Sequence, residues 1–405
     1  MSSSKSPALI FIFITLLIDV IGFGLIIPVL PGLLEEMTGG SLSTASQWGG
    51  LLMFTYAAMQ FVFSPIVGAL SDAYGRRPVI LAALFAFSID FIIQGFAPNI
   101  GWLFVGRVLA GITGATFTSA SAYIADVSPP EKRAQNFGII GAAFGMGFII
   151  GPLLGGVVSH YMGLRAPFFV AAGLAMLNWL YGFFILPESL TPDHRRPFNW
   201  KRANPVGTLM QLKKYPVVLG LVGALVAIYV AGHANQSTWT YITMEKFGWD
   251  TKMVGISLAV TGLAVGLVQG WLARILIPKM GPKNAVFFGL GMYVIGFVLF
   301  AFATQSWMMF AFMAPFSLGG LAGPSLQGII SNQAPQNAQG ELQGALTSIV
   351  SLTSIVGPLV MTNLFAWFTG PSAPVHFAGA PFLLGAVLSF VSFLLVIRTF
   401  RANHL

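Results

Sequence analysis

The chain has 405 residues, of which 56% are hydrophobic and 8% charged. A water-soluble protein carries about a quarter of its residues charged, so water is excluded as the solvent for most of this surface, and a bilayer, which accepts helices apolar on every side, takes its place. Cysteine is absent, which excludes disulfides and thiol-ligated metals, and the net charge of +8 is read as loop topology rather than as a nucleic-acid surface.

Apolar runs long enough to span ~30 Å of hydrocarbon recur twelve times. They lie near residues 7–30, 46–70, 78–97, 100–124, 135–158 and 166–187, then near 216–240, 253–277, 284–304, 306–330, 343–366 and 379–398. The first follows a short polar start without a small-residue cleavage signal and reads as a retained helix, not a signal peptide. The expected fold class is an all-α membrane protein with twelve transmembrane helices in two six-helix repeats. Its parts are an N-terminal bundle over 1–187, a cytoplasmic central loop over 188–215 and a C-terminal bundle over 216–405.

The first run carries Asp19 at its middle. After the second comes Gly68-Ala-Leu-Ser-Asp72-Ala-Tyr-Gly75-Arg76-Arg77-Pro78. Gly75 and Pro78 suit a tight turn between helices, and Asp72 is placed to face a neighbouring helix N-terminus. A charge cluster packed between moving helices acts as a latch for one conformation; the plainer alternative is a positive-inside loop. The third run holds Asp90, two residues after Ser88, and the fourth opens with Gly106-Arg107. Burying a charge at bilayer depth costs several kcal/mol, so intramembrane charges face the bundle interior and mark a pathway. A carboxyl withdrawn from water favours its protonated form and can exchange a proton for a cationic substrate. The alternatives are a static brace between one Asp and Arg107, and an Arg107 that snorkels from near its helix end.

The fifth run contains Gly147, Gly151-Pro152 and Gly155-Gly156. The four-residue spacing puts Gly147, Gly151 and Gly155 on one face, suited to close helix contact, and Pro152 favours a bend. In the second half, His233, Asn235, Gln236 and Trp239 cluster near the outer end of the seventh run, Gln269 and Trp271 lie in the eighth and Gln327 in the tenth. Trp and His at a helix end read as interface anchors, whereas a Gln in a helix interior needs amide partners. Ser88, Gln236, Gln269 and Gln327 are therefore candidates to line a substrate path, with Asp19 and Asp90.

With both termini cytoplasmic, 16 of the 20 Lys and Arg fall on the cytoplasmic side and three (Arg165, Lys246 and Lys252) opposite, with Arg107 inside a helix, as the positive-inside rule demands. The halves also repeat. Gly75 and Gly281, Pro129 and Pro335, Gly138 and Gly344, Gly151 and Gly357, and Pro152 and Pro358 are each 206 residues apart. Two such halves are a transporter plan with the substrate site near mid-membrane. The second half is not a copy: Leu225, Gly296 and Pro278 stand where the offset places Asp19, Asp90 and Asp72. No Gly-Lys-Ser/Thr phosphate loop and no His/Glu metal pattern occur, so no cofactor is expected and the energy source is an ion gradient.

On these residues the chain resembles the major facilitator superfamily, and within it the proton-coupled drug antiporters, most nearly the tetracycline efflux pumps. The resemblance runs nearly end to end. It rests on Leu16 to Pro31 around Asp19, Ser71-Asp72 to Val79, Gly106 to Ala115, Gly147 to Gly156, Phe247-Gly248-Trp249 and Leu326-Gln327-Gly328. It implies a major facilitator fold in a bacterial inner membrane, a small-molecule drug and protons as partners, no nucleic acid, and a monomer. It also implies that Asp19, Asp90 and Arg107 serve proton coupling, that Gly68, Asp72, Gly75, Arg76 and Arg77 form the latch, that Gln60 is a polar helix-two position that joins the substrate-binding residues, and that the helix-five glycine-proline motif belongs to export. Two positions depart from these pumps: Tyr293 stands where they carry a helix-nine acid, and Val265 where they often carry a helix-eight histidine. The alternative function on the same fold is a proton-coupled importer of a small metabolite or nutrient.

Overall fold

A chain in hydrocarbon must satisfy its own backbone, and helices do so within one segment. The structure, a computed structural model, describes residues 5–114, 116–128, 130–195, 198, 216–331 and 339–402. Among them regular structure is helical throughout. The helices are α1 (Lys5–Ile26), α2 (Leu30–Thr38), α3 (Leu42–Tyr74), α4 (Arg76–Gly95), α5 (Ile100–Thr113), α6 (Thr116–Val127), α7 (Pro130–Met162) and α8 (Ala166–Ile185), followed by α9 (Pro216–Phe247), α10 (Thr251–Leu267), α11 (Ala273–Met280), α12 (Pro282–Phe302), α13 (Ser306–Gly319), α14 (Ala322–Ser331), α15 (Gln339–Thr369) and α16 (Ala380–Ala402). Ten segments among the described residues are long and apolar enough to cross a membrane. The protein is thus a multi-pass membrane protein.

All twelve apolar runs fall on helices, with local corrections. The first run ends at Ile26, and α2 forms a separate short helix closed by Gly39 in the left-handed region, φ 61°. The fourth run, expected unbroken over 100–124, splits into α5 and α6 after Gly114, the C-cap of α5. The eighth is one helical stretch interrupted by a π-helical turn, Val268–Leu272, a distortion that often marks functional sites. The bases from Arg196 to Lys214 and the Pro129/Pro335 match lie outside the described residues.

The chain divides into two compact units. One gathers residues of Met1–Gly39, Thr55–Asn204 and Asp250–Ala259, the other those of Gly40–Phe54, Pro205–Trp249 and Val260–Leu405. The internal packing of the two is alike. In the first, α1 packs on α7 and α8, and α4 on α8 and α5; in the second, α9 packs on α15 and α16, and α12 on α16 and α13. The helix break after Gly114 recurs after Gly320, the C-cap of α13, again 206 residues on. The turn glycines Gly75 and Gly281 both have positive φ, 107° and 79°, a conformation that favours glycine. Each unit has its own apolar core, one around Phe11, Leu16, Leu84 and Tyr123 and the other around Leu221, Leu225, Leu290 and Leu326.

Candidate functional site

α4 carries Ser88, Asp90 and Gln94 and is held at both ends by distant charges. Its N-cap, Gly75, has no side-chain cap of its own. The Glu188 carboxylate, from the segment after α8, takes that role and accepts the backbone N–H of Arg76 at 2.9 Å and of Arg77 at 3.3 Å. It also accepts the N–H of Ser189 and Leu190, at 3.0 and 3.1 Å. At the other end Arg165 donates to the carbonyls of Gly95 and Ala97, at 3.2 and 2.7 Å. An anion at the N-terminus and a cation at the C-terminus both complement the helix dipole.

Between these clamps the buried face of α4 presents Ser88, Asp90 and Gln94. Ser88 faces α8 and donates to the Ala172 carbonyl at 3.0 Å, which ties the two helices. Gln94 donates through Nε2 to Asp90 Oδ2 at 2.8 Å and accepts from Arg107 of α5 at 2.6 Å. Arg107 therefore meets Asp90 through the Gln94 amide rather than in a contact ion pair, an arrangement different from both the brace and the snorkelling base considered above. Asp90 Oδ1 is buried without a hydrogen-bond partner, as is Asp19 Oδ1 on α1. Tyr56 of α3 lies within the electrostatic field of Arg107, Asp19 and Asp90, so the four residues share one polar region. Gln60, one turn on from Tyr56, donates to its hydroxyl at 3.3 Å and to the Gly114 carbonyl at 3.2 Å, at the break between α5 and α6. Gln94 was missed in the sequence; the signal was its i,i+4 spacing from Asp90, which puts both on one helix face.

The α3–α4 turn holds the residues expected to form a latch, with Gly68 one turn before Asp72. Arg76 pairs with Asp72 at 2.6 Å and with Asp126 of α6 at 3.1 Å, and donates to Ser71 Oγ at 3.1 Å. Arg77 donates to the Phe183 carbonyl at 2.7 Å and lies over the Phe183 ring. Asp72 thus pairs within its own turn, and the anion expected from it at a helix N-terminus is supplied by Glu188 instead. Asp126 and Glu188 are contacts of this turn that sequence reasoning passed over. Their signal was an acid at the very end of an apolar run, opposite two arginines.

α7 presents its glycines to the backbone of α1. A Cβ at Gly151 would lie 2.8 Å from the Ile21 carbonyl oxygen and 2.9 Å from Gly24 Cα; at Gly147 it would lie 2.6 Å from Val20 Cβ, and at Gly155 2.8 Å from Leu25 Cα. On the other side of α7, Gly156 meets Gly255 of α10, where a Cβ would lie 3.1 Å from Gly255 Cα. Pro152 lies inside a helix that runs unbroken over 33 residues.

In the second unit Gln269 lies in the π-helical turn, its amide against Gly320. Gln236 and Gln327 are exposed on α9 and α14. Trp239 and His233 correct the reading as interface anchors. Trp239 is 1% exposed and packs edge-on against Phe300 and Phe382, and His233 is buried against Gly357. Both sit well before the end of α9 at Phe247, so the helix buries them. Tyr293 belongs to an aromatic cluster, 6.0 Å from Phe297 and 5.5 Å from Phe316 by ring centroids.

The profile of the Major Facilitator Superfamily matches residues 12–279 and 275–404. The tetracycline resistance protein, class C, of Escherichia coli is 40% identical over 387 residues, which cover 96% of each chain. The class E protein of the same organism is 38% identical over 369 residues, 90% of this chain and 89% of its own. Among solved structures, the human organic anion transporter MFSD10 superposes with a TM-score of 0.71 at 24% identity, covering 97% of this chain and 99% of its own. With the two alike internal packings already described, these matches are decisive: the chain belongs to the Major Facilitator Superfamily, a family of transporters and not of enzymes.

Proposed function

We propose that the protein is a proton-coupled efflux antiporter that exports a tetracycline-like or other amphiphilic drug by alternating access, from a bacterial inner membrane with both termini cytoplasmic. The observation that carries this reading is the pair of carboxyls Asp19 and Asp90, each with a buried oxygen that has no hydrogen-bond partner. An unsatisfied buried carboxylate oxygen is costly, and a proton relieves that cost. Loading and unloading such a proton couples a charge to the conformation of the helices that carry it. The names and near-complete overlap of the tetracycline resistance relatives support drug export over import. Tyr293 occupies an aromatic cluster, so the reading gives proton handling to Asp19 and Asp90. The proton gradient is the energy source, no cofactor is required, and the working unit is a monomer.

The test is drug-triggered proton movement. Purified protein is placed in liposomes with a pH-sensitive dye, and tetracycline and other amphiphilic drugs are added under a pH gradient. Flux in the wild type that is lost in Asp19→Asn and Asp90→Asn is the expected result. Full flux in both variants removes the coupling role. Absence of flux with every compound, from folded protein, favours the importer.

A further inference from the structure

The geometry points to Gln94 as a positioning residue that fixes the Asp90 carboxylate through Oδ2 and so leaves Oδ1 as the atom that takes the transported proton. This rests on the antiporter reading for what the proton does, and on geometry alone for where it binds.

Arginine has donors and no acceptor, so the Gln94 amide must turn Oε1 toward Arg107, 2.6 Å away. Its Nε2–H group then necessarily faces Asp90 Oδ2, 2.8 Å away. A flipped amide would set N–H against guanidinium N–H, so the orientation is locked. Oδ2 consequently accepts a hydrogen bond whether Asp90 is ionised or neutral, and a proton placed there would meet the amide donor. Oδ1 is buried and has no partner. Space for it is kept by Gly106 of α5, where a Cβ would lie 2.7 Å from Oδ1. The proton arrives from water, forms the O–H bond at Oδ1, and returns to water; no electron pair leaves the protein and no co-reactant is needed.

The neighbours of Asp90 agree with this division. α5 supplies Arg107 and Gly106, and Asp19 of α1 and Tyr56 of α3 lie in the same polar region. α8 contributes the uncharged Ala172 carbonyl, already bonded to Ser88. The acid of α6, Asp126, is bound to Arg76 at the far end of α4.

The experiment is infrared difference spectroscopy on the purified full chain as pH is cycled, which needs no drug. The band absent in Asp90→Asn is the Asp90 carboxyl stretch. In Gln94→Leu, the C=O group at Oδ2 loses its hydrogen bond, so this band moves to higher frequency. Gln94→Asn, which keeps the amide on a shorter stem, gives an intermediate position. In liposomes Gln94→Leu slows drug-driven proton flux about tenfold, as the loss of one bond to a charged group implies. A residue that merely packs would slow flux without moving the band. An unmoved band in folded Gln94→Leu overturns the inference, as does an Asp90 band already at the unbonded frequency in the wild type. If the leucine variant does not fold, Gln94→Met, of similar length, gives the same two outcomes. Failure of the antiporter reading shows instead as undiminished flux in Asp90→Asn, so the two failures are distinct.

Discussion

Glu188→Ala tests whether the helix that carries Asp90 is held from outside itself. In the wild type one carboxylate accepts four backbone N–H groups, two of them the first-turn donors of α4. Those donors have no capping side chain of their own. A hydrogen bond to a charged group is worth about 1.5–3 kcal/mol net, and an anion at a helix N-terminus adds about 0.3–1 kcal/mol. Glu188 is partly exposed, so the low end of each applies, and the loss is about 2–3 kcal/mol in total. At 1.4 kcal/mol for each factor of ten, local opening of the first turn of α4 becomes about 30- to 140-fold more frequent. Hydrogen exchange followed by mass spectrometry reads this directly in peptides covering Arg76 to Val79. The equivalent turn at Gly281 is the internal control and stays as in the wild type. Because the chain has no cysteine, a single cysteine at Tyr74, 63% exposed, gives a second readout through its labelling rate. Glu188→Gln keeps the shape without the charge and falls between the two. Exchange at the α4 start identical to the wild type, with labelling at position 74 also unchanged, would refute Glu188 as the cap.

At the other end of the same helix, Arg165→Ala removes two bonds to terminal carbonyls of the α4 region and lowers unfolding stability by about 1–3 kcal/mol, seen as an earlier thermal transition in detergent. Gly155→Ala forces a methyl group against the backbone of Leu25, which cannot rotate away; a cost of about 1–3 kcal/mol and loss of export follow, measured by thermal unfolding and liposome flux. Arg76→Lys keeps the charge but not the fork that reaches Asp72, Asp126 and Ser71 together, so transport is impaired although the ion-pair count is nominally preserved. Tyr293→Asp, which would place an acid at the helix-nine position, sets it among Phe297, Phe316 and Gly319. Its thermal transition falls by the equivalent of about 2 kcal/mol or more, and a variant as stable as the wild type would show that the cluster opens to water.

The membrane class, the twelve helical runs and the repeat are legible in the order of residues alone. These depend on what each stretch of side chains can tolerate as solvent, and on glycines at a fixed offset, both of which are local properties. That order also singles out Asp19, Asp90 and Arg107, because a charge inside an apolar run is visible without coordinates. Partnership was another matter. That Glu188 caps a helix beginning 112 residues earlier, that Arg107 reaches Asp90 through Gln94, and that Trp239 is core rather than an interface anchor are facts about which helix faces meet. Hydrogen bonds reach only ~3 Å, so the pairing of such groups is fixed by helix packing and rotation, which composition and spacing do not encode. The break after Gly114 and the π-turn at Gln269 likewise appear only in the folded backbone, since the apolar runs that contain them read as continuous.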